Sequence, residues 1–211
     1  MIPKEQYLTN PCKITSIPYW KMKSTAIPAN MKIVHKDNYI QSEYHQYTAK
    51  PYFRLYHDLR TLHTPQIPEG FSLCRVSLKE YADHINKCYK DICTSEAELC
   101  NYTNHPVYNA DLWIAVADKQ SGAIVATGIA EFDRETGEGI LEWIQVSEDY
   151  RRHGLGSYIV RELLWRMRDT AKFATVSGQC NNPTNPEQLY RKCGFTGTDV
   201  WFILKKREHT I

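Results

Sequence analysis

The stretch ILEWIQVSEDYRRHGLGSYIVRELL, residues 140–164, decides how the chain is read. An apolar strand passes through a short acidic turn and a basic, glycine-containing loop into a helix. Leu155, Ile159, Val160, Leu163, Leu164 and Met167 recur at helical spacing on one face, and Arg161, Glu162, Arg166 and Arg168 decorate the other. A helix start carries unpaired backbone N–H groups and partial positive charge, so it stabilises an anion. Gly154 and Gly156 let phosphate oxygens approach the backbone, and Arg151 and Arg152 add charge that pairs with phosphate. Two better-known phosphate loops do not fit. A P-loop needs a lysine after its last glycine, and here Ser157 follows Gly156. A dinucleotide fingerprint starting at Gly154 would need a third glycine where Ile159 stands. From this loop alone, a simple turn with surface arginines remains the competing reading.

Working outward, residues 71–206 alternate regular elements. FSLCRVS reads as a strand, and Leu78, Tyr81, Ile85, Cys88, Tyr89 and Ile92 have helical spacing. An extra helical or irregular piece falls around 94–109. Strands at 112–118, 123–133 and 140–146, joined by glycine-containing turns, predict an antiparallel meander. Past the helix, KFATVSG (172–178) is a strand and PEQLYRKCGF (186–195) a short helix with Pro186 at its first position. WFILKK (201–206) closes as a final strand. The fold class predicted is α/β, an α+β mixed sheet.

Residues 1–68 differ in texture and hold seven of the ten prolines. There ITSIPYW (14–20), MKIVH (31–35) and PYFRLYH (51–57) each read as a short strand, and TPQIPEG (64–70) as a linker. This predicts an N-terminal extension of short strands and loops over 1–68 and a regular α/β domain over 69–211.

Composition narrows the partners. A net charge of +2 gives no basic footprint for nucleic acid. No apolar run approaches the roughly 20 residues that span a bilayer, and MIPKEQYLTN lacks the apolar centre of an export signal. Seven cysteines without zinc-ligand spacing read as reduced thiols of a cytoplasmic protein, and no metal site is expected.

RRHGLG after an apolar strand, then QLYRKCGF beyond the next one, resembles the GNAT superfamily of acyl-CoA-dependent N-acyltransferases. Arg151, Gly154 and Gly156 match its first motif, and Leu189, Tyr190, Gly194 and Phe195 match its second, over about residues 71–205. The resemblance implies a central, mostly antiparallel, splayed sheet flanked by helices, with no metal. It implies acetyl-CoA as acyl donor, a primary amine as acceptor, and a monomer or homodimer. The donor's pyrophosphate would meet Arg151, Arg152, His153, Gly154, Leu155, Gly156 and Ser157. Backbone groups of Ile144, Gln145 and Val146 would pair with the pantetheine, a backbone N–H near Val146 serving the developing oxyanion.

Also from the resemblance, Tyr190 is the proton donor to the departing thiolate, for which a phenol titrating near about 10 is suited. The family's pantetheine-binding asparagine would lie where Pro183 stands, which shifts that role to Asn182 or Asn185. As base for the amine the sequence offers Glu142, a charge in an apolar strand. Alternation puts it on one face with Ile140, Ile144 and Val146, and puts Leu141, Trp143 and Gln145 on the other. Glu131 and Glu138 are weaker candidates. The competing class is a non-catalytic acyl-CoA-binding regulatory domain.

Overall fold

The computed structural model describes residues 2–89 and 92–207; residues 90 and 91, within the helix predicted over 78–92, lie outside them. The chain divides into two compact units, one of residues 58–174, the other of residues up to 57 with those from 175 onward. In chain order the first elements are α1 (Lys4–Thr9), α2 (Pro11–Ile14), α3 (Tyr19–Met22), β1 (Met31–His35) and β2 (Tyr47–His57). Next come β3 (Phe71–Cys74), α4 (Leu78–Cys88), α5 (Glu96–Thr103), β4 (Trp113–Asp118), β5 (Ile124–Asp133), β6 (Glu138–Val146) and α6 (Leu155–Met167). The last are β7 (Phe173–Gln179), α7 (Pro186–Lys192) and β8 (Thr196–Lys206).

In the unit of residues 58–174, the strands run in the order β6-β5-β4-β3 with antiparallel registers. The turns that join them carry the glycines seen in the sequence. One sheet face takes α6, whose Leu155, Ile159, Val160, Leu163, Leu164 and Met167 are all essentially buried. Full burial of such a side chain contributes about 2 kcal/mol, so this face fixes the helix firmly. Close approach helps: a Cβ on Gly128 of β5 would lie 2.4 Å from Ile159 Cγ2.

The opposite face takes α4 and α5, through Tyr81, Ala82, Ile85 and Leu99 against Ala115 and Ile129. Helix α4 starts at a reciprocal cap: Ser77 Oγ accepts from Glu80 N at 3.3 Å, and Glu80 Oε2 accepts from Ser77 N at 2.6 Å.

In the other unit, β8 lies between β1 and β2, antiparallel to both, with Ile203 opposite Ile33 and Lys50. The order there is β1-β8-β2-β7. The first and last strands of the chain thus belong to one hydrogen-bonded set. β8 starts at Thr196, well before the predicted 201, because β2 extends its register back to that residue.

One expectation fails. ITSIPYW is not a strand: Ile14 ends α2, and Tyr19 begins α3. The cause is local. Asn10 Oδ1 accepts from Lys13 N at 3.1 Å, and Pro11 takes the first helical position, where its missing N–H costs nothing.

The packing at Gly128 is testable. Gly128→Ala is expected to destabilise the protein by about 1–3 kcal/mol, read as a lower urea midpoint. An unchanged midpoint would mean that α6 does not sit this close to β5.

Candidate active site

The register of β5 with β6 is interrupted once. Ile129 faces Trp143 and Ala130 faces Leu141, so the register shifts by one residue at Glu142, a β-bulge. The bulge breaks the alternation expected from the sequence. Ile140, Trp143 and Gln145 share the face toward α4, and Leu141, Ile144 and Val146 share the face toward α6. Contacts agree with this: Trp143 meets Tyr89, the residue that ends α4, edge-on at 5.8 Å, and Gly128, opposite Ile144, packs on α6. Glu142, the expected base, is half-buried at the bulge, whereas Glu131 and Glu138 are buried. His105 Nδ1 lies 3.9 Å from Glu131 Oε1.

Beyond Val146 the chain turns sharply. Ser147 N donates to Val125 O at 2.8 Å, and Ser147 O accepts from Tyr150 N at 2.9 Å, closing a short 3-10 turn over Glu148–Tyr150. Tyr150 Oη donates to Asp118 Oδ2 at 3.3 Å, and its ring packs edge-on against Phe71. Arg152 and Gly154 then take positive φ, at 72° and 81°. For Gly154 no more than an ordinary contact with Pro68, at 3.6 Å, would oppose a Cβ. Glycine is therefore required by conformation there and not by crowding.

Helix α6 begins on Gly154 with no side-chain cap. Tyr158 N donates to Gly154 O at 3.0 Å, and the N–H groups of the helix's first turn lie ahead of that ladder of i to i−4 bonds. Arg151, Arg152, His153 and Gly154 are exposed around this start. The ion pair of Arg151 with Glu148, at 3.8 Å, is long and exposed and ties up little of the charge. His153 Nδ1 lies 3.1 Å from Arg151 O, so that nitrogen carries the proton and supports the loop backbone. Leu155 points into the core, and Gly156 and Ser157 are half-buried. The loop thus brings Arg151 to Ser157 together at the end of β6.

Beneath the loop lies a group that sequence reasoning missed. His84 of α4 places Nδ1 2.8 Å from Thr127 Oγ1 and Nε2 3.0 Å from Ser147 Oγ. Gln145 Nε2 donates to the same Thr127 hydroxyl. All four side chains are buried. Burial is the main cause that pushes the His84 pKa down to about 4, so the imidazole is neutral at pH 7. The signal was present: His84 sits three residues after Tyr81 and four before Cys88, on the inward stripe of α4.

The remaining candidates lie in the other unit. Tyr190 is 6% exposed near the end of α7, with its ring 6.1 Å from Phe53 and 5.8 Å from Phe195. Asn182 Oδ1 accepts from Thr184 N and Oγ1 at 2.9 and 2.7 Å, so it holds the turn before α7. Asn185 takes φ 48° at the start of that helix and makes no capping hydrogen bond. Among the described residues, no group of three or more His, Cys, Asp or Glu is arranged to hold a metal, and no helix is long and apolar enough to cross a membrane.

Comparison with known proteins follows this geometry. Residues 109–197 match the family model described as Acetyltransferase (GNAT) domain. No curated protein matches the chain. A GCN5-related N-acetyltransferase from Sphaerobacter thermophilus superposes with a TM-score of 0.67 at 18% identity, covering 85% of this chain and 61% of its own. An acetyltransferase from the GNAT family of Colwellia psychrerythraea gives 0.60 at 12%, covering 83% and 64%. A GNAT-family acetyltransferase assigned to Novosphingobium aromaticivorans gives 0.56 at 11%, covering 87% and 71%. At these identities the likeness is one of fold, and the chain spans 61% of the Sphaerobacter protein. The mixed α/β, mostly antiparallel architecture is the GNAT fold, and residues 109–197 are the part of the chain that matches the GNAT acetyltransferase domain model.

Proposed function

We propose that this protein is an N-acetyltransferase that moves an acetyl group from acetyl-CoA to a primary amine by direct attack in a ternary complex. The observation that carries this reading is the uncapped start of α6, placed behind Arg151 and Arg152 within the matched domain. When bound, the donor supplies an activated thioester. The protein's own groups do the rest. The N–H groups at the start of α6, with Arg151 and Arg152, hold the pyrophosphate. The backbone of Ile144 to Val146 orients the pantetheine, and an N–H near Val146 stabilises the developing oxyanion.

Glu142 withdraws a proton from the incoming ammonium through a water, and Tyr190 delivers one to the departing thiolate. What supports the first assignment is a half-buried carboxylate at a register shift two residues before Ile144. Match to the family's second motif supports the other. Asn182 is assigned a pantetheine contact through its side-chain amide nitrogen. Choice of amine is assigned to residues 1–68, and seven cysteines without a disulfide among the described residues support a cytoplasmic setting.

Three variants test these roles. Gly156→Glu sets a carboxylate where the pyrophosphate binds and is expected to abolish calorimetric binding of acetyl-CoA and desulfo-CoA. Retained binding would move the donor site elsewhere. Tyr190→Phe is expected to lower kcat at least tenfold with little change in donor affinity, in an assay of released thiol. Equal kcat would remove the proton-donor role. Glu142→Gln is expected to lower kcat/KM most at low pH, where the amine is protonated; a uniform or absent effect across pH would dismiss it as base.

A further inference from the structure

The network under the loop has more order than packing requires. His84 bridges the β5–β6 pair and the first residue beyond it. Thr127 and Gln145 are direct partners in the strand register, and the imidazole takes the Thr127 hydroxyl on one nitrogen. Its other nitrogen takes the hydroxyl of Ser147. Ser147 is thereby held three ways: by its N–H to Val125, by its carbonyl to Tyr150 N, and by its side chain to His84. The turn that it opens leads directly to Arg151 and the start of α6.

Exposure of these side chains is 4% for His84, 0% for Thr127, 5% for Gln145 and 2% for Ser147. A buried polar group left without its partner costs about 1–3 kcal/mol, whereas apolar side chains of similar shape stabilise a core as well. Such a set contributes position more than stability. Its rigid base is α4, fixed at its start by the Ser77–Glu80 cap and along its length by Tyr81, Ala82 and Ile85 in the core. Neutral imidazole supplies one donor and one acceptor, and both hydroxyls rotate to match. Cys88 Sγ, 3.7 Å from Nε2, borders the same nitrogen.

We propose that His84 is a positioning residue for the donor site, which through Ser147 sets the path of the turn delivering residues 151–156 to the pyrophosphate. The consequence for affinity rests on the acyl-CoA reading above; the effect on the loop does not.

The test has two arms on the full chain, with folding of each variant checked by near-UV circular dichroism. In the first, hydrogen–deuterium exchange of residues 147–154 is measured without ligand. His84→Leu and Ser147→Ala are each expected to raise exchange there, and His84→Gln, whose amide reaches the Nε2 position, to restore protection. In the second, desulfo-CoA is titrated calorimetrically. His84→Leu and Ser147→Ala are each expected to weaken binding about tenfold, and the double variant no more than either alone. At saturating donor, kcat stays within about twofold. Unchanged exchange in both single variants, or losses that simply add, would overturn the proposal. Raised exchange with no binding by the unmodified protein would instead sink the acyl-CoA reading and leave the positioning role standing.

Discussion

The open end of α6 is the constraint on which the account depends. A helix of 13 residues begins on a glycine at φ 81°, a residue with no side chain to cap it. Ordinary helices close that end with Ser, Thr, Asp or Asn, as α4 and α5 do here with Ser77 and Ser95. Leaving it open forgoes the roughly 1 kcal/mol that a cap supplies. It also sets the partial positive charge of the helix start beside two exposed arginines, Arg151 and Arg152.

Everything near it serves to hold that end still. The apolar face of α6 is sealed against β5 and β6, and Gly128 lets strand and helix approach closely. Tyr150 ties the loop to Asp118 and Phe71, and His84 ties Ser147 to the strands. The bulge at Glu142 puts Ile140 on the face of Trp143 and of Gln145, which joins the His84 network, and puts Leu141 on the face of Ile144 and Val146 toward α6. Loop, strand end and helix start are thus fixed by interactions on both sides of one sheet.

Much of this was legible in the sequence. The meander from 112 to 146 and the helix at 155–167 were read closely, because alternation, glycine turns and a six-residue apolar stripe all agreed. ITSIPYW was misread, since a four-residue helix carries too little periodicity to outweigh its Ile and Pro, and the Asn10 cap lies upstream of the stretch. The faces of β6 were assigned by strict alternation, and a bulge leaves no mark in one strand's sequence. His84 and Ser147 escaped notice because their meaning lies in a contact across 63 positions of chain, which spacing cannot show.

The central claim is that the N–H groups at the start of α6 receive a pyrophosphate. Its most direct measurement is a titration of nitrogen-15-labelled protein with coenzyme A, following assigned backbone amides by NMR. The account predicts the largest shifts at residues 152–157. Small shifts there with large ones elsewhere, or none at all, would contradict it.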